Sequence, residues 1–166
     1  SGWHTCAMAM RLTVDGRPPL PVGVFNTAQY RPVSPGYLET IGIPLIRGRS
    51  IMPADTADAP WVVAISDAMA RQFWPGEDPI GQRLRFGPGE TARTVIGVVG
   101  DELHEALDGE PEPEMYVPVS QAPNVESSPT IVVRTALDSG TAAAELRAAV
   151  SAIDRAVPVD GIETVG

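Results

Sequence analysis

The sequence predicts an α+β fold with mixed sheets, and three observations predict it. The C-terminal stretch reads strand, helix, strand. The middle reads strand, helix, hairpin. Gly and Pro, 16 and 17 of 166 residues, are spread along the whole chain, so the elements are many and short and no tract is disordered by composition. Hydrophobic residues at 43% and charged residues at 20% are globular values. The length suits one domain or two small lobes, and a chain of this size buries about two-thirds of its unfolded surface without staples.

The elements follow in order. Residues 12–14 and 24–33 read as extended, the second alternating through Ala28, Tyr30 and Val33. Ser34-Pro35-Gly36 opens a short helix with Ser as N-cap and Pro at its first position; Tyr37, Leu38 and Ile41 form its apolar face and Gly42 stops it. Residues 43–51 form a short extended piece in which Pro44 marks a sheet edge, and 53–60 form an acidic, turn-rich loop. Trp61 to Ile65 is a near-continuous apolar run, hence a buried strand. Ser66 caps a helix to about Phe73, with Asp67 at its positive end and Ala68, Met69 and Phe73 on one face. A rigid turn, Trp74 to Pro79, ends it. Strands over 82–86 and 93–99 flank Gly87-Pro88-Gly89-Glu90 as a hairpin. Residues 101–114 form an acidic loop, 115–117 a short strand, 119–129 a polar loop and 130–135 a strand. Residues 141–153 form a helix with Ala142, Leu146, Ala149, Val150 and Ile153 in one stripe, and 158–165 a final strand.

Charge excludes several classes. Twelve Arg, no Lys and 21 carboxylates give a net charge of −9. Nucleic-acid binding needs a basic face to release counterions, and the arginines here are scattered. A polybasic membrane anchor is excluded for the same reason. Without lysine there is no P-loop lysine and no Schiff base. Cys6 is the only cysteine, so the chain holds no internal disulfide. Apolar runs such as Val95 to Val99 are strand-sized, far short of the roughly 18 residues of a membrane span. No signal peptide is apparent, and the opening Ser1-Gly2-Trp3-His4, without Met, is expected of a segment excised from a longer protein.

Candidate chemistry is sparse. His104-Glu105-Ala106-Leu107-Asp108 is a near miss of the H-E-x-x-H zinc pattern, with Asp at the second ligand position and no third ligand. The loop 101–114 carries Asp101, Glu102, Glu105, Asp108, Glu110, Glu112 and Glu114; it fits either a divalent-ion site of hard oxygen ligands, for which EF-hand spacing is lacking, or, better, a solvated acidic loop. Cys6 and His4 share a face of an extended terminus and lack a third, orienting group. Glu77, Glu102 and Glu105 are carboxylates of the type used for glycoside hydrolysis, with separations that sequence does not give. Trp61, Phe73 and Trp74 fit either a ligand groove or, better, the core. No constellation demands catalysis, and no metal or cofactor is expected.

One stretch is distinctive. Ser34-Pro35-Gly36-Tyr37-Leu38-Glu39-Thr40-Ile41-Gly42-Ile43-Pro44-Leu45-Ile46-Arg47-Gly48-Arg49 resembles a signature segment of the periplasmic core domain of MacB-like and FtsX-like ABC transporter permeases. The resemblance continues, in order, through Val62 to Ser66 into Ala70 to Gly81, then Thr94 to Asp101, Pro113 to Pro118 and Ile131 to Thr135 with the helix after it. Each piece alone is unspecific; five in order over about 34–155 are specific. The style is similar to the large duplicated permeases of acidobacteria.

The resemblance implies a domain outside the cytoplasmic membrane, between the first and second transmembrane helices of an inner-membrane permease. It implies two lobes: a porter-like α/β lobe with a mixed sheet, here 1–33 and 128–166, and an inserted β-rich lobe, called Sabre in MacB, here 34–127. The family's N-terminal part is expected to lie outside this segment, leaving the porter-like lobe incomplete. The function implied is transmission of ATP-driven motion to periplasmic substrates or partners, with no catalytic residues in this domain. Partners implied are the permease's own transmembrane helices, a cytoplasmic ABC ATPase, a second permease copy and a periplasmic adaptor. Partner contacts are expected at Trp74, Glu77 and Asp78 in the turn 74–80, and at Glu102 and Glu105 in the acidic loop. Two other readings remain: a free-standing periplasmic binding module, and a small hydrolase using the loop 101–114.

Overall fold

A computed structural model describes residues 8–87, 89–102, 110–123, 130–159 and 161–164. The chain divides at Val132/Val133 into two compact units.

The first unit is a seven-stranded mixed sheet. In chain order its elements are β1 (Met8–Val14), β2 (Asn26–Val33), α1 (Tyr37–Ile41), β3 (Leu45–Gly48), β4 (Val62–Ser66), α2 (Asp67–Phe73), β5 (Arg83–Arg85), β6 (Arg93–Val99) and β7 (Glu114–Pro118), followed by a 3-10 turn at Val119–Gln121. The strand order is β3-β6-β4-β7-β2-β1-β5. β5 pairs with β1, Val14 opposite Leu84, and also with β6, Leu84 opposite Arg93. Six strands therefore close into a ring, and β3 is added beside the C-terminal half of β6, Gly48 opposite Gly97. The β2–β7 and β4–β6 pairs are parallel and the rest antiparallel, so the sheet is mixed as the sequence predicts.

Period-two alternation sorts the side chains between two cores. Val63 and Ile65 of β4, Val95 and Val98 of β6, Met115 and Val117 of β7, Ala28 and Tyr30 of β2, Leu12 and Val14 of β1 and Leu84 of β5 form one cluster, joined by Met69, Ala70 and Trp74. Every strand of the ring contributes to it. Ala64, Val99 and Tyr116, the neighbours that point the other way, meet Val33, Leu38, Ile43 and Ile51 in a second cluster under α1. The close crossing of β3 on β6 requires glycine on both sides. A Cβ on Gly48, whose φ is +74°, would collide with the Ile96 carbonyl oxygen, and one on Gly97 with that of Arg49.

Ser66 ends β4 and caps α2. Its Oγ accepts from the Met69 N–H at 3.2 Å and from the Glu114 N–H at 3.0 Å, tying the helix start to β7. The hairpin at 82–99 forms as expected.

The second unit contains α3 (Ser139–Ile153), capped by Asp138, whose Oδ1 accepts from the Thr141 N–H at 3.0 Å. The helix is where the stripe places it, but none of its residues is buried. The two strands expected at 130–135 and 158–165 do not form among the described residues: 130–135 is irregular with Ile131 and Val133 exposed, and 158–159 and 161–164 are irregular as well. Ile-Val-Val has strand propensity, but a strand exists only with a ladder partner, and neither segment has one among the described residues. β1 and β2, grouped by the resemblance with the C-terminal segment, pair within the closed ring and lie in the first unit.

Candidate interaction face and buried charge clusters

Trp74 terminates α2. Its indole lies in the ring core, 2% exposed, with Nε1 lacking an acceptor. The turn after it carries Glu77 and Asp78 outward on the left-handed Gly76. Glu77 accepts from Arg17 Nη2 at 2.8 Å, and Asp78 lies 3.7 Å from Arg47 Nη1 while its Oδ1 caps the Ile80 N–H. Arg47, Asp67, Ala70, Arg71, Trp74, Gly76, Glu77 and Asp78 line a cleft of about 380 Å³. Three of the five expected contact residues therefore converge: Glu77 and Asp78 on an exposed rim, Trp74 in the wall. Exposed ion pairs of this kind contribute little stability, about 0–1 kcal/mol each.

Among the described residues of the acidic stretch 101–114, Asp101, Glu102, Glu112 and Glu114 are engaged by other parts of the ring. Asp101 Oδ1 accepts from the Ala68 N–H at 2.7 Å, and its Oδ2 from Arg71, which also pairs with Asp67. Glu102 approaches buried Arg31 at 3.5 Å. Glu112 accepts from the Gln29 side chain at 3.1 Å, and the Pro113 carbonyl from the Gln29 N–H. Glu114 pairs with Arg31 at 3.0 Å and accepts from Tyr116 Oη at 2.6 Å. Glu105, Asp108, His104, His4 and Cys6 lie outside the described residues. Among the described residues no group of His, Cys, Asp or Glu is arranged to hold a metal ion.

Around Arg31 the electrostatics are steep. Burial pulls its pKa down, but the charges of Glu114 and Glu102 outweigh that and raise it. Burial, then the Glu114 carboxylate beside it, pushes the Tyr116 phenol far above its ordinary range, so it serves as a neutral donor. Arg93 makes a second buried cation. It lies over Trp61 at 4.4 Å and Phe86 at 5.3 Å and donates to the Gln121 carbonyl oxygen; burial lowers its pKa. Gln121, fully buried, accepts from the Val62 N–H and donates to the Thr56 and Pro60 carbonyls, locking the acidic loop to β4. Sequence reasoning missed both clusters. The only trace of Arg31 and Arg93 is a cation inside an otherwise strand-like run, and nothing local names a partner 83 residues away.

The family model of the MacB-like periplasmic core domain matches residues 8–153. The chain belongs to that family. It is thus a MacB-like periplasmic core domain of the ABC transporter permease type, as the signature segment 34–49 implies. The fold is similar to the periplasmic region of MacB from Actinobacillus actinomycetemcomitans, with a TM-score of 0.63 at 19% identity over 89% of this chain. It is also similar to a domain of a putative permease protein from Porphyromonas gingivalis, with a TM-score of 0.56 at 18% identity over 89% of this chain and 59% of that one. The chain spans 64% of the MacB region. No curated protein matches it significantly. In this MacB-like domain no helix among the described residues is long and apolar enough to cross a membrane.

Proposed function

We propose that this domain is the extracytoplasmic body through which an inner-membrane ABC permease transmits ATP-driven conformational change to a periplasmic substrate or partner. Membership of the MacB-like family over residues 8–153 carries this reading. Two structural features support it. The closed ring, cross-linked by the Arg31 and Arg93 clusters, suits a body that moves as a unit. The cleft edged by Glu77 and Asp78 offers a charged rim to a partner. In this reading the membrane helices of the parent permease and a cytoplasmic ATPase drive the motion, a second permease copy moves against this one, and a periplasmic adaptor or substrate receives it; the contacts fall on Glu77 and Asp78, exposed on the cleft rim, while Trp74 is buried in the ring core behind them.

The test uses the full-length permease with its ATPase in membrane vesicles. Spin labels are placed at exposed Asp58→Cys in each copy, with Cys6→Ser and every other cysteine of the permease replaced. The label-to-label distance is expected to shift between the ATP-bound and ADP-bound states. A distance distribution unchanged through turnover would overturn the proposal.

A further inference from the structure

We propose that the β1–β2 loop is a preorganised docking strap whose Pro18–Pro21 stretch enters an aromatic-lined groove of a protein partner. The loop is Arg17-Pro18-Pro19-Leu20-Pro21-Val22-Gly23-Val24-Phe25, and every residue of it is exposed. Leu20, Val22, Val24 and Phe25 are four large apolar side chains within six residues, with Val22 wholly in solvent. Contiguous exposed apolar surface of this kind marks contact sites on soluble domains.

The backbone chemistry indicates how the strap is read. Proline fixes φ near −65° and pushes the residue before it into the extended region, which here constrains Arg17, Pro18 and Leu20. Consecutive restrictions of that kind favour the polyproline II conformation, whose three residues per turn would set Pro18 and Pro21 on the same face. Pro18, Pro19 and Pro21 have no N–H to donate, while the carbonyls of the stretch still accept. The matching surface supplies flat apolar walls and Tyr or Trp donors, the mode by which proline-rich segments are recognised.

The base of the strap is fastened. The Asp15 N–H donates to the Arg83 carbonyl at 2.8 Å and the Arg17 N–H to the Val14 carbonyl at 3.2 Å. Arg85 Nε donates to the Asp15 carboxylate at 3.0 Å, and Arg17 pairs with Glu77. The tip turns on left-handed Gly23, φ +88°, with the Val24 N–H bonded to the Pro21 carbonyl at 3.0 Å. Arg11 lies 3.6 Å over the Phe25 ring. A strap held in this way loses little conformational entropy on docking.

Charge decides between a protein and a lipid surface. Residues 18–25 carry no charge, the chain has no lysine, and its net charge of −9 is repelled by anionic headgroups. The strap shares Leu20 and Phe25 with interfacial anchors but lacks the cationic face that draws them to anionic lipid.

The experiment places a benzophenone side chain at Val22 of the full-length permease in its native membrane, with the same group at Asp58 as a positional control. Irradiation from Val22 is expected to give a cross-linked peptide of another protein with Trp, Tyr or Phe at or next to the linked residue. Its yield should fall about tenfold in the Leu20→Ser/Pro21→Ala variant, as for loss of a docking anchor. Both residues are solvent-exposed, so the melting temperature of the domain should not move. Cross-links to lipid, to a second copy, to a peptide without an aromatic residue, a yield indifferent to the double substitution, or no product at all would each overturn the proposal.

Discussion

Arg31 on β2 and Glu114 on β7 meet diagonally across a parallel strand pair, Nη2 to Oε1 at 3.0 Å, with side chains 4% and 3% exposed. Glu114 is held on its other oxygen by Tyr116, and Arg31 meets a second carboxylate, Glu102, where the chain leaves β6. One buried cation thus fixes three segments remote in sequence.

Removing one partner is expected to cost far more than removing both. Glu114→Ala leaves a buried guanidinium short of its counter-charge, a loss of about 3–5 kcal/mol. Arg31→Met combined with Glu114→Leu should recover much of it. Urea unfolding of the single and double variants measures both, and equal costs would refute the assignment.

Ser66→Ala deprives two backbone donors, the N–H groups of Met69 and Glu114, of their shared acceptor. A loss of about 1–3 kcal/mol is expected from the buried, orphaned groups. Asp138→Ala, at the exposed cap of α3, should leave unfolding of the ring untouched, a difference visible by hydrogen exchange along α2 and α3.

Gln121→Ala removes the acceptor of Val62 N–H and the donor to Thr56 and Pro60 in one step. A penalty of about 2–4 kcal/mol is expected, since each buried group left unpaired costs about 1–3 kcal/mol and some relax to water. Proteolysis within 53–60 should accelerate in parallel.

Asp55 gives the pH dependence its sign. Its carboxylate takes a bidentate pair from Arg49, and the Met52 N–H adds a third bond. The Arg49 hydrogen bonds foremost hold its pKa below the ordinary 3.8. A carboxylate with a depressed folded pKa stabilises the fold above its unfolded value, and that stabilisation is lost as pH falls through the folded value. Asp55→Asn should therefore be less stable than the native chain at neutral pH, and the gap should close below about pH 3.8. Denaturant midpoints measured between pH 7 and 3 check it.

The sequence shows most of the ring and little of what pins it. The apolar run 61–65, the Ser66 cap and the 82–99 hairpin are local signals, and the structure places them as read. β5 also joining β1 is not a local signal, because closure depends on the pairing of Val14 with Leu84, 70 residues apart. The same limit hid the partners of Arg31 and Arg93. Propensity misled at 130–135, where Ile131, Val132 and Val133 read as a strand but pair with no neighbour among the described residues. Composition favours a solvated acidic loop over an ion site; Asp101, Glu102, Glu112 and Glu114 are instead anchors, each engaged with a side chain or N–H elsewhere in the ring. The turn that Pro75, Gly76 and Pro79 announce in the sequence sets Glu77 and Asp78 on one cleft rim; the cleft itself has no local signal.

Closure of the sheet has a mechanical consequence. An open sheet under tension peels from its edges one bond at a time, because the outermost ladder has no neighbour to share the strain. In the ring β6-β4-β7-β2-β1-β5 each strand has two neighbours, so a pull on any one stave is spread around the hoop and loads many hydrogen bonds at once. Only β3, hung outside on β6, is left to unzip.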